Sequence, residues 1–215
     1  MYTFALKAGM PSDKERQTLT AARALNPDKY SIRSFNRPDE VPEGFIPAGT
    51  IDWVQDVLGF KPIPDFYPEF LKHLLYREVW QTDEWPLNEE VFIKPADVPK
   101  RFSAKRSCDE HEEGPCWCSE IVNFKNEWRY YITYGEVVYA AWYDGIEECE
   151  APELEIDIPS YWCGCIDMGI LDTGEFALVE AGEPYSCGWY GHIHEGDIYA
   201  DWLIDGYYYL LTLAR

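Results

Sequence analysis

The amino-acid sequence predicts an α+β fold, on three observations. Apolar residues recur at helical spacing before residue 76 and again at the C-terminus. From Val91 onward the period becomes two, the spacing of a half-buried strand. Turn residues then separate these strands into adjacent pairs, with Gly135 in one and Asp172-Thr173-Gly174 in the other. Helices first and antiparallel hairpins afterwards is the α+β order.

In chain order, residues 1–48 give few signals. Thr20 to Leu25 suits a short helix ended by Asn26-Pro27-Asp28, and Pro38, Pro42, Gly44, Pro47 and Gly49 mark an irregular connector. Thr50 is placed to N-cap a helix through Leu58, whose Ile51, Val54 and Leu58 fall on one face. Phe66 to Leu75 reads as a second helix burying Phe70, Leu74 and Leu75. Val91 to Pro95 is a short strand that its proline ends. Cys116–Val122, Glu127–Tyr134, Glu136–Tyr143, Cys163–Leu171 and Glu175–Ala181 are further strands, and Asp197–Leu213 is a closing helix with Gly206 as its weak point.

The 215 residues are 47% hydrophobic, enough for one domain of two lobes or two small domains sharing a cleft. No apolar run approaches the ~18 residues of a membrane span, and the N-terminus lacks a signal peptide, so a cytoplasmic protein is expected. The formal charge of −21 is unevenly spread. Residues 1–106 carry 15 Lys and Arg against 16 acids; residues 107–215 carry 3 against 23. That second half repels nucleic-acid backbones, which argues against general nucleic-acid binding. Most of its carboxylates are expected on a solvated face. Lys100, Arg101, Lys105 and Arg106 form a basic loop just before this change, either solvated or anion-binding.

Two acids interrupt otherwise apolar strands of the last hairpin: Asp167 in Ile166-Asp167-Met168 and Glu180 in Val179-Glu180-Ala181. Burying two carboxylates side by side is costly unless a cation neutralises them. Pairing with Lys or Arg is disfavoured by the scarcity of basic residues in this half, so Mg²⁺, which prefers carboxylate oxygen, is the expected partner. Glu127 and Arg129 share one strand face, offering an acceptor for sugar hydroxyls and a cation for phosphate, or a plain surface pair. Lys94 ends its strand just before the basic loop.

The order Lys94, Glu120, Glu127, Asp167, Glu180 resembles the ATP-grasp superfamily. The run VFIKPAD, KRF, SEIVNFKNEWRYYI, IDMGILDTGEFALVE and SCGWYG looks like a small clade of that superfamily common in phage genomes, across residues 45–215. The resemblance implies two α+β lobes with antiparallel sheets enclosing a nucleotide cleft. A short N-terminal segment, 1–48, would precede a domain over 49–215, with a smaller lobe at about 90–125 and a larger one at 126–215. It implies that Lys94 binds ATP phosphates, that Glu120 opens a hinge whose backbone at Ile121, Val122 and Asn123 reads adenine, and that Glu127 binds ribose. Asp167 and Glu180 would hold Mg²⁺. The implied reaction joins a carboxylate to an amine, small-molecule or peptide, through an acyl-phosphate.

The chain departs from the family at four places. Gly182 stands where an Asn is usual, leaving Glu183 or water as the substitute ligand. The usual first Lys is missing, and Arg77 is the candidate replacement. The Gly-rich phosphate lid gives way to the basic loop from Lys100 to Arg106. Cys165 replaces a common Arg, so Arg129 takes the acyl-phosphate role. Separately, Cys108, His111, Cys116 and Cys118 fall within eleven residues and are candidate zinc ligands, although the spacing matches no familiar finger and C-x-C on a strand suits core packing equally. A contrasting expectation from the acidic half is a non-catalytic interaction protein, such as a viral decoy or inhibitor, on an ATP-grasp scaffold.

Overall fold

A computed structural model of the protein describes residues 1–9, 13–86, 90–98, 101–108 and 111–214. Strand β1 (Tyr2–Lys7) buries Phe4, Ala5 and Leu6. The Asp13 carboxylate accepts from the Arg16 N–H at 2.8 Å and so N-caps helix α1 (Lys14–Leu25), which ends at Asn26. Strands β2 (Tyr30–Phe35) and β3 (Ile46–Ala48) then flank β1, both parallel to it, in the order β2-β1-β3. The sequence reading of residues 1–48 found only the end of α1. Its strands are short, and β2 is mostly half-exposed with serine and arginine along it, so neither period stands out.

Helix α2 (Ile51–Leu58) follows the extended Thr50 and stops at Gly59, whose φ of 74° is the left-handed cap that glycine adopts most easily. The Trp53 indole donates to the Ala5 carbonyl at 3.1 Å, docking α2 on the parallel sheet. The expected helix over Phe66–Leu75 is instead a 3-10 turn at Glu69–Leu74. Pro68 explains the shortening: it lacks an N–H and biases Tyr67 away from helical backbone.

Two antiparallel sheets follow. Strands β4 (Val79–Thr82), β5 (Val91–Pro95), β6 (Lys105–Arg106) and β7 (Cys116–Glu120) form the smaller, in the order β4-β7-β5-β6. Strands β8 (Phe124–Thr133), β9 (Glu136–Gly145), β10 (Gly164–Leu171) and β11 (Phe176–Gly182) form the larger, in the order β11-β10-β8-β9. Tyr134 and Gly135, at φ 48° and 85°, make the tight β8–β9 turn.

Alternation along β8 and β10 divides the larger sheet. Trp128, Tyr130, Ile132, Ile166 and Met168 share a core with Leu71 of the 3-10 turn and with Tyr67 and Leu75 beside it. Tyr131 and Cys165 face helix α3 (Gly196–Leu213) and the N-terminal sheet. The Trp202 indole donates to Ile132 O at 3.2 Å and Gly164 O at 3.3 Å, fastening α3 across the strands. Gly206 is a packing contact: a Cβ there would lie 2.5 Å from Pro184. No helix among the described residues is long and apolar enough to cross a membrane.

Candidate active site

The two antiparallel sheets face each other across a cleft of about 690 Å³. The smaller sheet contributes Lys94 and Glu120, and the Ile121-Val122 link between the sheets closes one side. The larger sheet contributes Glu127, Tyr143, Asp167 and Glu180. Strand pairing makes this convergence. Asp167 lies opposite Glu180 in the β10–β11 register and opposite Arg129 in the β10–β8 register, so all three share one neighbourhood.

Both acids are neutralised by side chains, contrary to the expectation that pairing would be a poor option. Asp167, 2% exposed, accepts two hydrogen bonds from Arg129: Nε to Oδ1 at 2.8 Å and Nη2 to Oδ2 at 2.7 Å. Glu180 forms an ion pair with Lys94 across the cleft. The scarcity of basic residues after residue 106 misled because one arginine is in place and the lysine comes from the other sheet.

Arg129 is held on every side. Its Nη1 donates to Gly188 O at 3.2 Å, and the guanidinium lies 5.2 Å from the Tyr143 ring centroid and 5.1 Å from that of Tyr190. It sits behind Asp167 and does not line the cleft, so its donors orient Asp167 and are not aimed at a transferred phosphate. Arg77 does line the cleft, but its donors go to backbone carbonyls: Leu178 O at 2.6 Å, Val179 O at 2.8 Å and Leu75 O at 3.2 Å. It ties the outer strand β11 to the chain before β4.

Lys94 is enclosed by Phe66 and Phe92, whose ring centroids lie 4.9 and 5.6 Å from its Nζ. Burial pulls its pKa down to about 7, against the upward pull of Asp167 and Glu127. Glu127 accepts from the Tyr143 hydroxyl at 2.7 Å, and burial raises its pKa above the ordinary carboxylate value. The Glu120 carboxylate accepts from the Glu78 N–H at 2.9 Å, fixing the start of the link. Asn123 does not line the cleft, and its carbonyl accepts from the Asp172 N–H at 3.1 Å.

The basic loop is ion-paired within its own sheet: Arg101 with Asp97 at 2.9 Å, Lys105 with Glu112 at 2.8 Å and Arg106 with Glu90 at 3.0 Å. Lys100 lies outside the described residues. The loop meets the cleft through Phe102, Ser103 and Ala104, small or apolar residues that charge counting passed over. Tyr143, Ser186 and Cys187 also line the cleft unforeseen; the departure at Gly182 was the available signal, since a Cβ there would lie 2.6 Å from Ser186 Oγ.

The zinc expectation is not supported. Cys116 and Cys118 pack in the core of the smaller sheet with Trp85, Val91, Ile93 and Phe102, whereas Cys108 is exposed and His111 lies against the Trp85 ring. Among the described residues no three His, Cys, Asp or Glu side chains converge to hold a metal ion, so Glu183 does not complete a triad with Asp167 and Glu180 either.

Solved structures show what this architecture is similar to. A RimK domain protein ATP-grasp from Sphaerobacter thermophilus DSM 20745 matches at 11% identity and a TM-score of 0.54, over 93% of this chain and 98% of that one. N5-carboxyaminoimidazole ribonucleotide synthetase from Thermotoga maritima matches at 11% identity and 0.51, over 95% and 76%. D-alanine–D-alanine ligase from Bacillus anthracis complexed with ATP matches at 12% identity and 0.50, over 100% of both chains. At such identities the likeness establishes the fold alone. A search of the curated proteins returned no match. A family model described as an ATP-grasp domain, the second family of its clade, matches residues 74–199, a span that holds both antiparallel sheets and every cleft residue described above from Arg77 to Cys187. The chain belongs to that ATP-grasp family.

Proposed function

We propose that the protein is an ATP-dependent ligase that joins a carboxylate to an amine through an acyl-phosphate. The observation that carries this reading is the cleft between two antiparallel sheets into which Lys94, Glu127, Asp167 and Glu180 converge. ATP-grasp membership and the ATP-bound ligase among the similar structures support it. In this reading Lys94 leaves Glu180 to meet the nucleotide phosphates, Glu127 exchanges the Tyr143 hydroxyl for ribose, and the Ile121-Val122 backbone contacts adenine. Arg129 is a positioning residue for Asp167, and Arg77 holds β11 in register.

Mg²⁺ fits the donor set in kind. The ion is commonly held by one or two carboxylates together with substrate phosphates, and two facing carboxylates stand on the cleft wall. Asp167 and Glu180 would hold it, and each carboxylate oxygen has a second lone pair beyond its present bond. When bound, the ion neutralises negative charge on the phosphates. This chain's own part is to present the two carboxylates, with Lys94 supplying positive charge beside them.

A thermal-shift titration with ATP, with and without Mg²⁺, tests the reading. Glu180→Gln is the informative variant, because Asp167→Asn also strands Arg129. A metal-dependent stabilisation in the wild type that Glu180→Gln loses is expected, followed by phosphate release with the right acid and amine. No shift at millimolar nucleotide would sink it. One observation favours a second reading, a non-catalytic acidic partner-binding protein: Lys94, Arg101, Lys105 and Arg129 are all engaged by carboxylates. That reading requires salt-sensitive binding of a basic partner that survives Glu180→Gln.

A further inference from the structure

The cleft wall carries one pair of nucleophilic side chains that the ligase reading leaves unused. Cys165 on β10 and Cys187 in the turn after β11 both line the cleft. Cys165 lies directly opposite Gly182 in the β10–β11 register, where side chains of facing residues share one side of the sheet. Gly182 leaves that space vacant, and a Cβ built there would lie 3.1 Å from Cys187 Sγ. The Cys187 sulfur therefore fills the space beside Cys165 on the same wall of the cleft. No third ligand joins them among the described residues, so the pair is not a metal site of three or more ligands.

The two thiols differ in access. Cys165 is 1% exposed, whereas Cys187 is half-buried at the end of a turn. That turn is anchored: the Cys187 thiol donates to Glu183 O at 3.5 Å, and Gly188 O accepts from Arg129 and from the Tyr131 hydroxyl. The other cysteines lack this arrangement. Cys108 and Cys149 are exposed, Cys116 and Cys118 are neighbours on one strand within a core, and Cys163 accepts from the Tyr134 N–H at 3.3 Å.

We propose that Cys165 and Cys187 are a redox-reactive dithiol that hydrogen peroxide closes into a disulfide on the cleft wall. The Cys187 sulfur attacks the peroxide oxygen, the O–O bond breaks, and water leaves as a sulfenic acid forms. The Cys165 sulfur then displaces that hydroxyl as a second water, so the S–S bond forms as the S–O bond breaks. Two thiols are oxidised, one peroxide is reduced, and both thiol protons end in water. A dithiol reductant reverses the step by thiol–disulfide exchange. The bond ties β10, two residues before Asp167, to the turn that grips Arg129. A consequence for nucleotide binding rests on the ligase reading; the thiol chemistry does not.

The test is peptide mapping of the full-length protein after hydrogen peroxide, with free thiols alkylated before digestion. A Cys165–Cys187 cross-link, two hydrogens lighter and reversed by dithiothreitol, is expected ahead of any other pairing. In Cys165→Ala, Cys187 should instead be trapped by dimedone as the sulfenic acid. Phenylarsine oxide, which bridges two adjacent thiols, should be retained by the untreated wild type and lost from both Cys165→Ala and Cys187→Ser; this readout on the intact fold covers a variant that folds poorly. Oxidation confined to Cys108 and Cys149, or a cross-link to Cys163 in place of Cys165, would overturn the proposal. Mg·ATP should slow cross-linking in the wild type by filling the cleft. A cross-link that forms at one rate with and without nucleotide, in a protein that shows no ATP-dependent thermal shift, would remove the ligase reading and leave the dithiol standing.

Discussion

At the floor of the cleft, Arg129 and Asp167 share two hydrogen bonds with side chains 9% and 2% exposed. In the smaller sheet, Arg106 and Glu90 meet at 3.0 Å with side chains 54% and 63% exposed. The pairs use the same chemistry in opposite surroundings. Water screens the exposed pair, and either member can leave at little cost. The buried pair has lost its hydration, so removing one member strands the other in a poorly polarisable interior. Local charge density is therefore a poor guide to function here. Three described cations of the conspicuous basic loop are paired with nearby carboxylates, while Arg129, in the acidic half, orients the central carboxylate.

The largest effect that can break this comparison is expected from Arg129→Met, which leaves Asp167 buried without its partner. A loss of about 3–5 kcal/mol in urea unfolding is expected, with part of it restored in the Arg129→Met, Asp167→Asn double variant. A loss below about 1 kcal/mol would place the floor pair in the same class as the surface pairs. Next comes Gly182→Asn, which sets a side chain where Ser186 and Cys187 already sit; overpacking by about 1–3 kcal/mol is expected in the same assay.

Lys94 sharpens the comparison through pH. Its pKa is drawn down to about 7 from the ordinary 10.5 by burial. Between those values the folded chain holds fewer protons than the unfolded one, so this group's contribution to stability rises with pH across that window. In the ligase reading phosphate binding uses the ammonium, so it should instead weaken as pH rises through about 7. Nucleotide titrations from pH 6 to 9 should show this fall, and Lys94→Arg should flatten it. The smallest effect is expected from Arg106→Gln: about 1 kcal/mol or less, and nothing measurable at high salt.

Much of this architecture was legible along the chain. Period-two alternation located β8 to β11 within a few residues; β8, β10 and β11 bury residues in a core, and β9 is half-buried along its middle. Spacing also singled out Asp167 and Glu180, since charge inside apolar strands stands out locally. The parallel N-terminal sheet was not legible. Its strands are three to six residues long, and β2 leaves most of its length half-exposed, so no period accumulates. The 3-10 turn was misread as a helix because its apolar spacing is helical while Pro68 constrains its backbone.

By itself, the sequence determined the α+β class, the hairpin order and the two carboxylates set inside apolar strands, because these depend on local period and residue type. Only the tertiary structure decided who meets whom. Register set Arg129 against Asp167, sheet-to-sheet approach set Lys94 against Glu180, and an absent side chain at Gly182 let Cys187 settle beside Cys165. Each of those meetings joins residues far apart in the chain or on different elements. Their energies depend on burial and partner geometry, which come into being only when the strands have paired and the sheets have closed on one another.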